Sequence, residues 1–379
     1  MTSVPSPTVD VRTSAPELRE RLANDVRAGL TAPSKRLPPK WLYDERGCEL
    51  FEAICELPEY YPTRSERAVL AAHASDIASL SRASTLVELG SGASEKTRLL
   101  LDALASEGTL EGFVGFDVAE PTLRASLERL SDRYPGVRMG GVVGDFEEDL
   151  DRIPSSPNRL VAFLGSTIGN LEDAARAALL DRLGAVLAPG EWLLLGIDLI
   201  KDPDRLLAAY DDSAGVTAEF ERNVLEVVNA SLDGDFDLSR FEYVARWDPE
   251  RSRVAMGLRS CGAQHVHLGA LGLDVMLADG EEIGTETSAK FRVEQVDAEL
   301  RRAGFATTRA WLDPTGDFAV VLACRAARSV AAPTIPPIGF SRGAPPPVPT
   351  VDAYMKVRVA TEALAAPLSA EDQTVQTMP

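Results

Sequence analysis

The chain has 379 residues, enough for a sizeable core and for two domains at roughly 150 residues each. Its 39 basic and 58 acidic residues leave a net charge of −19 with no basic cluster, which speaks against nucleic acid or an anionic membrane surface as partner. Cys48, Cys55, Cys261 and Cys324 and the three histidines show no metal-ligand spacing, no basic-then-apolar leader is present, and the longest apolar stretch, Trp192 to Ile200, has the length of a strand; a reducing, cytoplasmic setting is expected.

Residues 1–15 are polar and proline-dotted and read as a flexible tail. From Pro16 the apolar positions Leu18, Leu22, Val26 and Leu30 recur every four residues, which predicts an amphipathic helix. Leu37-Pro-Pro-Lys-Trp-Leu-Tyr-Asp44 cannot be a regular helix, because paired prolines remove donors and fix the backbone. Cys48 and Cys55, seven apart, fall on one helical face. With Leu57-Pro-Glu-Tyr-Tyr-Pro-Thr-Arg64, the first proline-braced loop forms either a pocket wall or an ordinary packed surface.

Next in the chain comes an apolar strand, Thr85 to Val87, running through Glu88-Leu-Gly-Ser-Gly-Ala-Ser-Glu-Lys-Thr97 into a helix. Such a turn lets a nucleoside lie against the backbone. An acidic-x-Gly-x-Gly loop is the form typical of methyltransferases that use S-adenosylmethionine, whereas dinucleotide folds favour G-x-G-x-x-G; a plain glycine turn without a ligand is the alternative. Phe113 to Asp117 reads as a second strand, whose terminal aspartate can accept from both ribose hydroxyls. Pro121 to Leu130 is a helix. Gly141 to Phe146 reads as a third strand ending in Asp145-Phe146, a carboxylate and a ring that could hold adenine. Leu160 to Leu171 is a buried strand entering a glycine-broken loop, and Leu187 to Asp198 brings a fifth strand. Gly90, Asp117, Asp145 and Asn170 all fall at strand ends, where an open parallel α/β sheet binds its ligand.

Beyond Pro203 the pattern is helical to about Leu232, then alternates like antiparallel strands over Phe241 to Trp247, Arg253 to Arg259 and Gln264 to Leu268. His265 and His267 read as exposed strand positions. Glu282 to Phe291 leads into a helix from Val293 to Ala303, and Ala306 to Leu312 with Asp317 to Arg325 form a terminal hairpin. Seven prolines within Ala331 to Thr350 make a stiff linker, succeeded by a helix-like Val351 to Leu364.

Eight segments together resemble one family: Leu37-Pro-Pro-Lys-Trp, 57–64, 88–97, Gly144-Asp-Phe146, Phe163-Leu-Gly-Ser-Thr-Ile-Gly-Asn170, Asp198-Leu-Ile-Lys-Asp202, Tyr210-Asp-Asp and Thr285-Glu-Thr-Ser-Ala-Lys-Phe291. It is the ergothioneine-pathway histidine Nα-methyltransferase family, whose members trimethylate L-histidine to hercynine, and the resemblance runs from about Leu22 to Arg325. It implies a Rossmann-like class I methyltransferase sheet (66–200 with 290–326) and an α+β substrate-binding domain (16–65 with 201–289). Carried over by position, Gly90 and Lys96 would bind the methionine part of S-adenosylmethionine, Asp117 its ribose, and Asp145 with Phe146 its adenine. Asn170 and Tyr210 would hold the carboxylate of L-histidine. Tyr60, with Tyr43, would face the α-amine as the catalytic positions; Glu286, Thr287 and Ser288 would take the imidazole, and Met256 and Phe51 would line the pocket. A monomer is expected. Gly257 and Ala289 depart from the family pattern, which has larger side chains there. Residues 351–379 resemble the opening of the iron-dependent sulfoxide synthase that acts next in the pathway, as in a fused polypeptide joined through a 327–350 linker.

A methyltransferase of another amino acid, such as tryptophan, would share the cofactor residues and differ at Glu286 and Ser288. A dehydrogenase would want the longer glycine fingerprint, and a non-catalytic nucleoside-binding module would lack the substrate set.

Overall fold

The first strand lies where the sequence promises least. The computed structural model describes residues 7–11, 15–92, 94 and 96–327. Thr8–Val11 (β1), placed by its flanks in the flexible tail, instead pairs in parallel with Arg138–Val143. Four residues are too few for a readable period, and the pairing depends on a partner more than 120 residues away. The expected proline-rich linker (327–350) and the sulfoxide-synthase-like piece (351–379) lie outside the described residues, apart from Ala327.

Ala15–Leu30 (α1) buries Leu22, Val26 and Leu30, as its period requires, but leaves Leu18 42% exposed. Asp44 caps Glu45–Glu56 (α2), accepting from the Gly47 N–H at 2.8 Å. Pro62 stands in the first turn of Pro62–Ser81 (α3), where its missing N–H costs nothing.

The nucleotide-fold pattern then appears in order. Thr85–Leu89 (β2), Thr97–Ser106 (α4), Gly112–Asp117 (β3), Glu120–Arg133 (α5), Arg138–Val143 (β4), Phe146–Asp149 (α6), Arg159–Phe163 (β5), Asp173–Val186 (α7) and Trp192–Asp198 (β6) alternate along the chain. Asp145-Phe146 is not a strand end as expected: β4 stops at Val143, and Asp145 caps α6 through the Glu147 N–H at 2.8 Å.

The expected single helical stretch divides into Pro203–Tyr210 (α8) and Val216–Leu232 (α9), because Gly215 takes φ 75° between them. Phe241–Asp248 (β7), Arg253–Ser260 (β8), Gln264–Leu268 (β9), Leu273–Leu277 (β10) and Glu282–Ala289 (β11) are the antiparallel strands, β10 being one the alternation did not single out. Val293–Arg302 (α10), Phe305–Leu312 (β12) and Phe318–Arg325 (β13) close the described chain.

The main sheet has the order β1-β4-β3-β2-β5-β6-β13-β12, parallel except where β13 joins β6 and β12 joins β13. Successive strands leave β2 in opposite directions, so the crevice beyond the carboxyl ends of β2 and β5 is a topological switch point. Both sheet faces are covered: Leu86 packs in one core, Val87 and Leu89 in the other. A third core draws on residues 22–61 and 206–283 and includes the inner faces of β7, β8 and β11, a separate three-stranded sheet. The α/β class is as read from the alternation. Among the described residues no helix is long and apolar enough to cross a membrane.

Candidate active site

At the end of β2, Gly90 and Gly92 take φ 67° and 46°, and nothing lies within 4 Å of a Cβ placed on either. The loop is open on that side, as a backbone approached by a ligand must be. Asp117 ties it to β3: one carboxylate oxygen accepts from Gly92 N–H at 2.8 Å and the other from Ala119 N–H at 2.9 Å. Burial raises its carboxyl above the ordinary value, partly offset by these donors. The acidic residue of the loop motif has a local task instead: Glu88 is buried, accepts from the Thr97 hydroxyl, and is pushed up to about 8 by burial.

Lys96 is clamped by a residue the sequence did not single out. Its ammonium pairs with Glu66 of α3, which is fully buried and also accepts from Gly165 N–H at 2.8 Å. The only local sign of Glu66 was its place two residues after the 57–64 motif.

Asp145 accepts from Lys40 at 2.9 Å, and Lys40 also reaches Asp25 of α1 at 3.1 Å. A cavity of about 400 Å³ opens here between Lys40, Tyr43, Val118, Gly144 and Asp145, roofed by Leu18 of α1 and Val227 of α9. That is within the usual range for a small-ligand site, and it explains the exposed Leu18. Phe146 stands beside it, edge-on to Phe163 at 5.1 Å. Open glycines, a ribose-height aspartate and this cavity fit a nucleoside cofactor.

Further along the crevice five rings meet. Tyr43 is edge-on to Phe51 at 5.6 Å and to Phe220 at 5.4 Å, Phe51 to Tyr60 at 6.4 Å, and Tyr60 to Tyr210 at 5.9 Å. Phe220, on α9, belongs to no motif read from the sequence. Burial drives the phenols of Tyr43 and Tyr60 well above their usual range, reinforced for Tyr43 by Glu286 and for Tyr60 by Tyr210. Both are neutral, so neither acts as a phenolate base.

The polar end belongs to β11. Glu286 stands opposite Met256 of β8 in the ladder, so the two share a face. A bulge between Gly284 and Glu286 sets that register. The turn Thr167–Asn170 after β5 brings Asn170, whose amide donates to Glu286 at 2.7 Å. Burial pushes the Glu286 carboxyl up to about 7, against the pull of Lys290. Ser288, two residues on, shares its face. Thr287 points to the other face, donates to the Val254 carbonyl at 3.4 Å, and lines a separate cavity of about 230 Å³ with Glu172 and Arg253. At Gly257 a Cβ would lie 2.8 Å from the Ile283 carbonyl oxygen, so this backbone admits no larger residue there.

Behind Ser288 and Tyr210 lies a buried polar network. Lys290 pairs with Asp198 at 2.8 Å, both fully buried, and Asp198 also holds Lys201 and the Tyr61 hydroxyl. Asp198, Lys201 and Lys290 sat inside quoted motifs, but nothing local assigned them a role.

Against known proteins, a family model described as "Histidine-specific methyltransferase, SAM-dependent" matches residues 22–325. The chain belongs to that family. It is 54% identical over 312 residues to the histidine N-alpha-methyltransferase of Mycolicibacterium smegmatis, an alignment covering 82% of this chain and 97% of the relative. The enzyme of the same name from Mycobacterium tuberculosis is 52% identical over 80% of this chain and 95% of its own. Ergothioneine biosynthesis protein 1 of Neurospora crassa is 31% identical over 73% of this chain, but the match makes up 32% of that longer protein. As a family member the protein is an S-adenosylmethionine-dependent methyltransferase.

Proposed function

We propose that this protein transfers three methyl groups from S-adenosylmethionine to the α-amine of L-histidine, making hercynine for ergothioneine biosynthesis. The observation that carries the reading is the polar end of an otherwise aromatic pocket: a half-buried, desolvated carboxylate (Glu286), an amide that orients it (Asn170) and a hydroxyl (Ser288), in a chain that belongs to the histidine-specific family. A desolvated carboxylate deprived of an N–H partner is costly, so the pocket favours a ring that supplies one.

The cofactor supplies an electrophilic methyl group; the side chains supply position and environment. Gly90 and Lys96 would receive its methionine end, Asp117 its ribose, and Asp145 with Phe146 its adenine. Asn170 and Tyr210 would hold the histidine carboxylate, with Tyr60 and Tyr43 at the amine and Met256 and Phe51 as walls. Thr287, turned to the other face of β11, would act on the ring only through the strand. The amine must present a lone pair in line with the methyl carbon, and holding it there supplies most of the acceleration. An α-amino group titrates near about 8 in peptides, so its proton leaves with modest help. After each of the first two transfers the new ammonium must again lose a proton. The third leaves a fixed cation, which the faces of Tyr43, Tyr60 and Phe51 tolerate by cation–π attraction of about 1 kcal/mol or more.

The same reading takes residues 16–65 with 201–289 as the histidine-binding part and expects a cytoplasmic monomer. It also takes 351–379 as the start of a fused sulfoxide synthase, which mass spectrometry of the native gene product tests: a natural stop at residue 379 removes the fusion.

Incubating the protein with S-adenosylmethionine and each amino acid in turn, then weighing the products, tests the assignment. Mono-, di- and trimethylated histidine are expected. Unmodified histidine alongside a methylated tryptophan or other acceptor overturns it.

A further inference from the structure

The side chain of Lys290 is fully buried, one residue beyond the strand that carries Glu286 and Ser288. An ammonium has three N–H donors and no acceptor. All three are spent: on Asp198 at 2.8 Å, on the Tyr210 hydroxyl at 2.6 Å and on the Ser288 hydroxyl at 2.8 Å. Burial works against the charge, but Asp198 and Tyr210 outweigh it and hold the lysine protonated. The two hydroxyls lie 2.9 Å apart and bond each other, so at any moment one O–H is engaged and the other is spare.

The consequence lies in the direction of these bonds. Because each oxygen already accepts from Lys290, both O–H groups can swing toward a ligand without either oxygen losing its partner. The cation behind them polarises both O–H bonds and makes that wall of the pocket a donor surface. Two residues before Ser288 on the same face of β11, Glu286 has one oxygen occupied by Asn170, which leaves the other as an acceptor.

We propose that Lys290 is a positioning residue that fixes Tyr210 as a hydrogen-bond donor to the histidine carboxylate and Ser288 as a donor to the ring, so that the pocket takes the neutral imidazole tautomer that donates its N–H to Glu286 and accepts at its second nitrogen. The proposal rests on the imidazole reading of β11. A ring with two N–H groups meets a donor wall and a like charge; a ring with one N–H and no second nitrogen leaves a polarised hydroxyl unanswered.

The test is calorimetric binding, with S-adenosylhomocysteine present, of L-histidine, of both pyrrolylalanine isomers (an N–H and no second nitrogen) and of both thiazolylalanine isomers (an acceptor nitrogen and no N–H). The full chain is expected to bind the pyrrolyl ligands at least about tenfold more weakly than histidine, the discrimination shown by sites built to bond a missing group. In Lys290→Met the pyrrolyl penalty should shrink several-fold, because the hydroxyls are free to turn back, while the thiazolyl penalty, set by Glu286, stays. A merely structural lysine would weaken every ligand by one common factor, and that result overturns the proposal. If Lys290→Met does not fold, the unaltered protein decides: pyrrolylalanine bound within about twofold of histidine overturns it, and tenfold weaker binding supports it. Absence of histidine binding altogether is a different failure, that of the function assignment, and the proposal falls with it.

Discussion

Glu286 and Glu221 put two carboxyl groups into one buried region, and their burial decides how they share protons. Glu221 of α9 is fully buried, with the Thr285 hydroxyl as its polar neighbour. Burial, and then the Glu286 charge, hold it well above the ordinary carboxylate range. Glu286, raised from 4.5 to about 7, ionises near neutrality. The folded state therefore keeps a proton that the unfolded chain releases, and stability falls as pH rises from 4.5 to about 7, after which the cost is constant. Glu286→Gln should raise the melting temperature of the ligand-free protein at pH 8 by about 2–4 °C and leave it nearly unchanged at about pH 4, below the 4.5 at which the unfolded chain ionises; calorimetric scans at the two pH values check this. The same variant should weaken histidine binding by about 10- to 100-fold with cofactor binding intact, and equal losses for both ligands would remove Glu286 from the imidazole site. Tyr60→Phe should let partly methylated histidine accumulate, read from the product time course.

The turn after β5 is the element on which both ends of the crevice depend. Just before it, Gly165 donates to Glu66, which holds Lys96; its last residue, Asn170, donates to Glu286. Between them Gly169 lies so close to β11 that a Cβ would come 2.8 Å from the Ala289 carbonyl oxygen. Gly169→Ala must push turn and strand apart. Loss of roughly 1–3 kcal/mol of stability is expected from such overpacking, with KM for histidine rising about tenfold as Asn170 leaves Glu286, while the KM for S-adenosylmethionine changes less. Steady-state kinetics with each substrate varied separately distinguishes this from general damage.

Across the molecule, the rings at 43, 51, 60, 210 and 220 belong to or pack against the core of residues 22–61 and 206–283, whereas Gly90, Asp117 and Asp145 lie at or just beyond the carboxyl ends of strands of the main sheet. Ligands that touch both should tie them together. S-adenosylhomocysteine at a hundred times its Kd adds about 2.7 kcal/mol to the folded state by mass action. Histidine added on top should raise the melting temperature further, and a scan with no second increment would separate the two sites. Glycines at 90 and 92, aspartate at 117 and the period-two and period-four patterns are set by neighbours a few positions away, so the element order and the cofactor-binding loop were legible in the sequence. Asp145 was legible as a residue, but its strand ended two positions earlier, because the start of a one-turn helix looks like the end of an apolar run.

The amino-acid sequence alone determined the α/β alternation, the glycine loop and the motif set that marks the family, since backbone preference and apolar period act over a few residues. Tertiary structure decided that Glu66 clamps Lys96, that Phe220 joins the aromatic cluster, that Glu221 lies buried near Glu286, that Thr287 faces away, and that Lys290 stands between Asp198 and Tyr210. These pairings span 30 positions for Glu66 and Lys96, 80 for Tyr210 and Lys290 and 116 for Asn170 and Glu286, while the placing of Thr287 depends on which face of a strand is buried. Such contacts carry no local signal, because their energy arises only when folding removes both partners from water.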